Sequence, residues 1–422
     1  MAEPRRIDLK PWMRKPGTRA VMAALAANGA EARFVGGCVR DSLLDLPVKD
    51  IDIATHETPE RVIELLTRAG IKAIPTGIEH GTITAVVGGE HFEITTLRLD
   101  VKTHGRRAEV AFTDDWSEDA ARRDLTINAL SLREDGTLFD PFGGLADLDA
   151  GRVRFVGDAG TRITEDHLRA LRFFRFFAYY GRPPADAEAL AAVEKLAHLL
   201  GDLSGERIWG ELMRLLKAPD PAAVFQLMAD HGVLRHLFRA EVRIGRLEAL
   251  VEVEETRGIA GEASDPLRRL AALVRLDRMP PALLAERLKL SRRDRLRLAD
   301  LAGDAGAVEP EAGPRRVHAT IYRLGTQRFR DAVFLAWAEA RAASGDAALD
   351  AAYAILLAHA AAWPPPVLPV RGADAVRLGL APGPAVGEAI EAVEAWWIEE
   401  DFAPDRKACL ARLEAVLGGG RG

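Results

Sequence analysis

A glycine-rich segment and an acidic segment near the amino terminus have the residue types needed to bind a nucleotide. Asp50 and Asp52 flank an apolar residue in an alternating stretch, and on a strand both carboxylates lie on one face. Two carboxylates placed this way can hold divalent cations that bridge phosphates. Upstream, Gly36 and Gly37 allow close approach of a ligand. Arg40 lies on the first turn of a predicted helix, whose free N–H groups suit phosphate. Either segment alone also fits a turn or a solvated edge; together they predict nucleotidyl transfer.

Two arginine-rich clusters follow along the chain. The first contains Arg122, Arg123, Asp124 and Asn128, and its structural alternative is a solvated basic helix start. The second follows Glu165, and its members at steps of three share one side of a helix predicted near 164–180. These members are Asp166, Arg169, Arg172 and Arg175. A salt-bridge ladder is the alternative, but the acids nearby are too few, so phosphate or base contacts are expected to balance the arginines.

The pair Asp166 and Arg169 predicts a choice among bases. A carboxylate accepts hydrogen bonds and a guanidinium donates them. Cytosine and adenine both present an amino donor beside a ring-nitrogen acceptor, whereas uracil and guanine present the reverse order. An Asp/Arg pair in one plane therefore favours C and A over U and G.

Composition limits the class of protein. The 422 residues are 48% hydrophobic and carry a net charge of −6, so any nucleic-acid surface must be a local basic region. The only cysteines, Cys38 and Cys409, exclude a disulfide framework and a CxxC-type zinc site and suit a reducing cytoplasm. No apolar run is long enough for a transmembrane helix, the amino terminus lacks the apolar core of a secretory signal, and no GxxxxGK[ST] loop is present.

The pattern along the chain predicts an α+β protein. Strand-like and helix-like segments alternate up to Asp140, and paired strands are expected on either side of Gly88-Gly89. From Thr161 onward nearly every segment has helical periodicity, with a strong break at Trp363-Pro-Pro-Pro366. The segment 99–109 is polar, contains Gly105 and lacks a clear period, which predicts a mobile loop.

Taken together, the motifs resemble those of the class II tRNA nucleotidyltransferases, which add CCA to tRNA 3′ ends. The matching segments are GGCVRD with KDID, RRDLTINA, EDHLRALR, the stretch from Thr76 to Thr82, TTLR at 95–98, DPFGG at 140–144, and a carboxyl-terminal region around 372–384. The resemblance implies a small polymerase-β-like head followed by an all-α neck, body and tail. The domain boundaries implied are 1–139, 140–235, 236–363 and 364–422.

The resemblance also implies roles for individual residues. Asp50 and Asp52 would be catalytic and would bind Mg²⁺, with Glu93 on a neighbouring strand as a candidate third carboxylate. Gly37, Arg40, Arg123, Arg172 and Arg175 would bind the incoming nucleotide, Asn128 would support Arg123 and Asp124 near the sugar and phosphates, and Asp166 and Arg169 would select the base. The partners implied are the tRNA 3′ end, on its acceptor and T-arm side, with CTP and ATP, and no membrane or obligate protein partner. In this family a flexible loop at 99–109 is needed for the final A.

Several alternatives remain open from the sequence. A bacterial poly(A) polymerase shares the head and neck motifs, and related enzymes add only A or only CC. A full-length loop at 99–109 favours complete CCA or A-only addition over CC-only addition. A catalytically inactive RNA-binding protein on the same scaffold is the alternative of a different class, and the presence of both Asp50 and Asp52 argues against it.

Overall fold

The computed structural model describes residues 5–104, 107–256 and 264–419. The chain divides into two compact units, Met1–Arg239 and Ala240–Gly422. The expected division into head, neck, body and tail stays a prediction. None of the helices in the described ranges combines the length and the apolar character needed to cross a membrane.

The first unit contains a seven-stranded mixed sheet that carries the predicted acidic strand near its centre. The strand order is β3-β4-β5-β2-β1-β8-β9, and β2 and β5 are parallel neighbours. The strands of this sheet are β1 (Ala32–Val35), β2 (Ile51–Thr55), β3 (Lys72–Gly77), β4 (Thr82–Val87), β5 (Glu90–Thr96), β8 (Ser131–Leu132) and β9 (Leu138–Phe139). The expected pair of strands on either side of Gly88-Gly89 is confirmed as the antiparallel β4 and β5.

Three helices cover the apolar side of this sheet and form a core with it. These helices are α1 (Pro16–Leu25), α2 (Gly37–Leu43) and α3 (Pro59–Arg68). Their apolar residues pack with inward-facing strand residues such as Phe34, Ile53 and Phe92, each of which is fully buried. The alternating sequence of β2 therefore predicts correctly which side chains are buried. Ile51 and Ile53 face the core, and Asp52 lies on the other face.

The segment 99–109 is not the loop that its composition predicts. It lies in a separate two-stranded antiparallel sheet of β6 (Arg98–His104) and β7 (Arg107–Phe112), which pair with each other and with no strand of the larger sheet. The alternation of apolar and polar residues that marks a half-buried strand is weak in this segment, so its sequence favours a loop. Residues 105–106 of the predicted loop lie outside the described part of the chain.

Helices make up the remainder of the first unit, as the periodicity predicts. They are α4 (Trp116–Ala121), α5 (Gly144–Ala150), α6 (Ala159–Glu165), α7 (Leu168–Tyr180), α8 (Ala187–Leu196), α9 (Gly205–Leu216), α10 (Pro221–Asp230) and α11 (Val233–Phe238). The expected single helix near 164–180 is wrong in one respect: the chain breaks at Asp166, whose backbone is extended. Asp166 therefore precedes α7 and does not share its face with the three arginines.

The second unit is helical throughout its described residues. Its helices are α12 (Ile244–Thr256), α13 (Pro266–Leu273), α14 (Pro281–Arg287), α15 (Arg292–Gly303), α16 (Pro314–Leu324), α17 (Thr326–Ser344), α18 (Ala347–Ala362), α19 (Gly372–Arg377), α20 (Pro384–Glu399) and α21 (Arg406–Gly419). The segment after the Trp363-Pro-Pro-Pro366 break has a small core of its own, centred on Val393, Trp397 and Leu413.

Candidate active site

One cleft of about 780 Å³ in the first unit collects the residues that the sequence predicts for the site, except Glu93, the candidate third carboxylate. Its walls come from the sheet, from the turns after α4, and from α7 and α9. The predicted residues that line it are Gly37, Arg40, Asp50, Asp52, Arg123, Asp166, Arg169, Arg172 and Arg175. Segments separated by more than a hundred residues along the chain therefore meet at one place, which is what a shared binding function requires.

Three carboxylates lie on or beside two adjacent parallel strands. Asp50 immediately precedes β2, Asp52 lies within it, and Glu93 of β5 is the direct register partner of Asp52. Burial and the charge of Glu93 raise the pKa of Asp52 to about 6, although Arg123 opposes the shift. The fold thus holds negative charges together at a cost that a bound cation would relieve.

This carboxylate group fits a magnesium-type ion that is completed by its substrate. Within the described residues, no group of three or more His, Cys, Asp and Glu side chains forms a closed metal cage. Mg²⁺ usually takes one or two protein carboxylates and fills its other positions with water and substrate phosphates. Asp50 and Asp52 both line the cleft, and two carboxylates match the number and type of protein ligand that such an ion takes.

The Gly-Gly turn brings backbone close to the acidic strand. Gly36 has φ +69°, a left-handed conformation that favours glycine, and it precedes the first turn of α2. A Cβ atom at Gly36 would lie 3.2 Å from Nη1 of Arg123 and 3.8 Å from Oδ2 of Asp52. Glycine at this position therefore leaves the space between the turn and the cleft open.

Arg40 is fixed in the cleft wall by hydrogen bonds and aromatic rings. Its Nη1 donates to Oδ1 of Asn128 at 2.6 Å, and its Nε donates to Asp41 at 2.9 Å. The guanidinium also lies 4.3 Å from the ring centre of Tyr180 and 5.1 Å from that of Phe176. The sequence places Arg40 near a phosphate; the structure adds that its position is set by four side chains.

A buried chain of hydrogen bonds links Arg40 to α7. Asn128 receives the Arg40 hydrogen bond and donates from Nδ2 to Asp124 at 3.1 Å, and Asp124 accepts from Nε of Arg172 at 2.6 Å. Burial alone would raise the pKa of Asp124, but the Arg172 charge and these hydrogen bonds outweigh it and hold the pKa below its usual range. Asp124 therefore stays ionised, and it positions Arg172.

The cluster around Arg122 and Arg123 is not a solvated helix start. Both arginines follow the end of α4, and both pair with Asp119, which is buried in that helix. Burial raises the pKa of Asp119, but the two guanidinium groups lower it below the ordinary value. Asp119 was missed by sequence reasoning because its partners could be recognised only after the helix end was known.

Asp166 and Arg169 are held by different partners rather than by each other. Nη2 of Arg207, on α9, donates to both carboxylate oxygens of Asp166 at 2.9 and 2.7 Å. Arg169 donates to Glu165 at 2.5 Å and to the backbone oxygen of Arg122 at 3.0 Å. Each group keeps hydrogen-bonding capacity beyond these contacts, because a carboxylate oxygen has two lone pairs and a guanidinium has five N–H groups.

The acids that balance the α7 arginines come from other elements, so the expectation that acids are too few was wrong. Arg172 pairs with Asp124 and Arg175 pairs with Glu211 of α9, each through its Nε atom. No other hydrogen bond joins either guanidinium to the described residues, and the ring of Phe176 lies 5.3 Å from Arg172 and 4.1 Å from Arg175. Both arginines thus keep their terminal N–H groups for a ligand.

Arg207 and Glu211 are the principal site residues that sequence reasoning missed. Arg207 lines the cleft, and Glu211 is 5% exposed on the apolar face of α9 with Ile208, Leu212 and Leu215. A carboxylate is rarely buried unless it is paired. An acid at a core position of an amphipathic helix was therefore the available signal for an arginine partner nearby.

A smaller cavity of about 370 Å³ in the same unit has a different character. Arg33 lines it, and the Arg33 guanidinium lies 3.9 Å from the Trp116 ring and 3.7 Å from the Phe139 ring and donates to Glu31. It contains neither Asp50 nor Asp52. The larger cleft is therefore the candidate active site.

Known proteins are similar to this chain over most of its length. The family model described as "Poly A polymerase head domain" matches residues 32–154, and the model described as "Probable RNA and SrmB- binding site of polymerase A" matches residues 186–241. The mitochondrial CCA tRNA nucleotidyltransferase 1 of Mus musculus is 34% identical over 410 residues, which cover 94% of this chain and 90% of that protein. The CCA-adding enzyme of Limosilactobacillus fermentum is 32% identical over 404 residues, 94% of this chain and 96% of that protein.

A solved structure extends the agreement to the fold. The crystal structure of the Bacillus stearothermophilus CCA-adding enzyme in complex with CTP superposes with a TM-score of 0.74 at 26% identity, over 96% of this chain and 99% of that one. The sheet, the cleft and the helical remainder define a nucleotidyltransferase of the polymerase-β-like class. The chain belongs to the family of CCA tRNA nucleotidyltransferases, also called CCA-adding enzymes.

Proposed function

We propose that this chain adds C, C and A to the 3′ end of tRNA, using CTP and ATP without a nucleic-acid template. The observation that supports this most directly is the single cleft that joins Asp50 and Asp52 of the sheet to Asp166 and Arg169 of the helices. The first pair has the chemistry for nucleotidyl transfer and the second has the chemistry for base choice. Membership of the family supports the same reaction, because the names of the relatives refer to CCA and to its addition.

Asp50 and Asp52 are the proposed ligands of a divalent cation, which we take to be Mg²⁺, with Glu93 as a candidate third carboxylate. When bound there, the cation stabilises charge on the attacking 3′ oxygen and on the leaving pyrophosphate. Asp52 must be ionised for this role, and its raised pKa lies below neutral pH. In the reaction the tRNA 3′ oxygen bonds to the α-phosphorus of the nucleotide as the bond to pyrophosphate breaks.

The arginines of the cleft are proposed to bind and orient the triphosphate. Arg172 and Arg175 are fixed through Nε, so that their terminal N–H groups donate to phosphate or sugar oxygens. Arg40 and Arg123 contribute further positive charge to the cleft, and Gly37 allows the phosphates to approach the backbone. Charge held in place before the reaction needs no reorganisation when negative charge develops.

Base selection is assigned to Asp166 and Arg169. The carboxylate would accept from the amino group of cytosine or adenine, and the guanidinium would donate to the adjacent ring nitrogen. A uracil or guanine base would place a donor against the guanidinium and an acceptor against the carboxylate. Arg207 is proposed to position Asp166, since it donates to both carboxylate oxygens.

The proposed compartment is the cytoplasm, on the basis of the two unpaired, buried cysteines. Some relatives are named as mitochondrial proteins, so the compartment differs among members of the family. It does not affect the reaction assigned to the cleft.

Incubation with tRNA that lacks CCA, Mg²⁺ and one labelled nucleotide at a time tests the reaction. CTP alone is expected to be incorporated, ATP is expected to follow only after CTP, and UTP and GTP are expected to be rejected. Incorporation of many A residues would instead indicate a poly(A) polymerase. A single A added only to tRNA that already ends in CC would indicate an A-adding enzyme, and no incorporation at all would indicate an inactive RNA-binding protein.

Asp50→Ala and Asp52→Ala provide the test of the catalytic assignment. Either variant is expected to lose nucleotide addition by several orders of magnitude, because a lost metal ligand raises the barrier by on the order of several kcal/mol. Binding of tRNA, measured separately by filter retention, should persist. Turnover close to that of the wild type in either folded variant would contradict the assignment.

A further inference from the structure

A patch of unpaired positive charge lies on the second unit, where α15 begins. Residues 287–297 contain six Arg or Lys and one acid. Two of the six, Arg287 and Arg297, interact within the protein. The other four are exposed and form no hydrogen bond or ion pair with a residue that the structure describes: Lys289, Arg292, Arg293 and Arg295. These four residues are called the α15 basic patch.

The patch is directed away from the core of the unit. Leu298 and Leu301 are buried and mark the inward face of α15. At 100° per residue, Arg292 lies nearly opposite this inward face, and Arg293 and Arg295 lie at its two sides, where both are exposed. The one acid of the segment, Asp294, is engaged with the helix cap: its backbone N–H donates to Ser291 at 3.1 Å, and its carboxylate accepts from the Ser291 hydroxyl at 2.9 Å.

Several arginines elsewhere in the unit are matched to acids. Arg268, for example, is buried and paired with both Glu254 and Asp331. In the patch, three arginines occupy the first turn of α15, where the helix dipole disfavours positive charge. Unpaired cations at such a position reduce the stability of the free protein, so a partner outside the chain is expected to use them.

We propose that the α15 basic patch binds the phosphate backbone of the tRNA whose 3′ end the enzyme extends; this inference rests on the proposed function. A polyanion engages several of the four cations at once, whereas a single phosphate engages one. Three of the four are arginines, whose forked donors match phosphate oxygens. The chain as a whole carries a net charge of −6, so attraction of RNA requires a local patch of this kind. Backbone contacts carry no sequence information, which suits an enzyme that must accept tRNAs of many sequences.

The test is the salt dependence of tRNA binding by the full-length protein. The triple variant Arg292→Gln, Arg293→Gln, Arg295→Gln is compared with the wild type by fluorescence anisotropy of labelled tRNA that lacks CCA, at several salt concentrations. The Kd of the variant should rise by roughly tenfold or more at low salt, and the slope of log K against log salt should fall by about one for each lost phosphate contact. The KM for tRNA in CTP addition should rise, while kcat at saturating tRNA stays unchanged.

A matched variant removes the same charge elsewhere in the unit. Arg315→Gln, Arg323→Gln, Lys407→Gln changes three exposed cations on α16 and α21 that also lack partners among the described residues. It should retain the affinity and salt slope of the wild type. The patch variant should melt at or above the wild-type temperature, because neutral residues suit the first turn of α15 better than arginine does.

Failure of this inference is distinct from failure of the proposed function. If the wild type adds CCA but the patch variant binds tRNA with unchanged Kd and salt slope, the patch assignment is overturned and the function stands. An equal loss in the matched variant would show a general charge effect and would also overturn the assignment. If the wild type adds no nucleotide, the function fails, and the binding measurement still decides whether the patch contacts RNA.

Discussion

The Asp52 carboxylate carries a charge that its surroundings oppose. Burial and the neighbouring Glu93 raise its pKa to about 6. The folded state therefore binds this proton more tightly than the unfolded chain does. The stability that this group contributes is fully present below the unfolded pKa of about 4 and is lost as the pH rises through about 6.

Asp52→Asn should consequently stabilise the metal-free protein at neutral pH. The free energy of unfolding at pH 7.5, measured by urea titration with a chelator present, should rise by on the order of 2 kcal/mol. At pH 4.5 the variant and the wild type should differ much less. The exposed Asp149→Asn provides the control and should show no such dependence on pH. If the Asp52 variant and the wild type are equally stable at both pH values, burial and Glu93 do not destabilise the ionised Asp52 carboxylate, and the account of this position is wrong.

Asp166 offers the residue-level test of base choice. Asp166→Asn keeps the shape of the side chain but places an amide donor where the carboxylate only accepts. A mismatched buried polar group costs about 1–3 kcal/mol, so discrimination of CTP against UTP should fall by roughly 5- to 150-fold. The measurement is kcat/KM for all four nucleotides.

Asp202→Asn is the matched control for this substitution, because Asp202 is exposed and does not line the cleft. It should discriminate as the wild type does. An Asp166→Asn enzyme that still rejects UTP and GTP as strongly as the wild type would remove the base-reading role from Asp166. Asp166→Ala should lose discrimination in the same direction, and it also leaves the half-buried Arg207 without its partner.

Among the elements, the hairpin of β6 and β7 is the one tied to the order of addition. The two strands pair only with each other, so their loss leaves the pairing of the seven-stranded sheet intact. One site must accept the smaller C and then the larger A, which requires a change in the template between steps. Deletion of 101–107 should therefore stop the product at CC while CTP addition continues.

Two other outcomes of this deletion would contradict the account. If the deletion variant adds the terminal A at the wild-type rate, the hairpin serves only as a connection between its neighbouring elements. Equal loss of CTP and ATP addition, with the protein still folded, would make it a structural part of the site. Gel analysis of the tRNA products after incubation with both nucleotides separates the three cases.

The elements show which parts of the site the sequence could predict. The acidic strand was predictable because the alternation of apolar and polar residues indicates which face of a strand is buried. The burial of the residues in β2 follows this alternation from Ile51 to Ile53. The break at Asp166 was not, because the apolar periodicity continues across it. The partners of Arg172 and Arg175 were also out of reach, since Asp124 and Glu211 lie 48 and 36 residues away along the chain. Ion pairs of this kind depend on how helices pack, which local pattern does not encode.

At the scale of the whole molecule, composition gives the net charge but not the position of any basic surface. A net charge of −6 required any RNA-binding surface to be local. Basic residues near the amino terminus do not provide such a surface by their number alone, because several pair with acids, as Arg33 does with Glu31 and Lys10 with Asp45. The α15 basic patch could not be predicted from the sequence, because the sequence does not show which arginines form ion pairs in the folded protein.

Sequencing of tRNA 3′ ends after reaction tests the central claim most directly. Transcripts that end at the discriminator base are incubated with the wild-type enzyme and Mg²⁺, with CTP alone, ATP alone and both nucleotides. The account predicts ends in CC with CTP alone, unchanged ends with ATP alone, and ends in CCA with both. Oligo(A) ends with ATP alone, or products with both nucleotides that are other than CCA, would contradict the assignment of this cleft to ordered CCA addition.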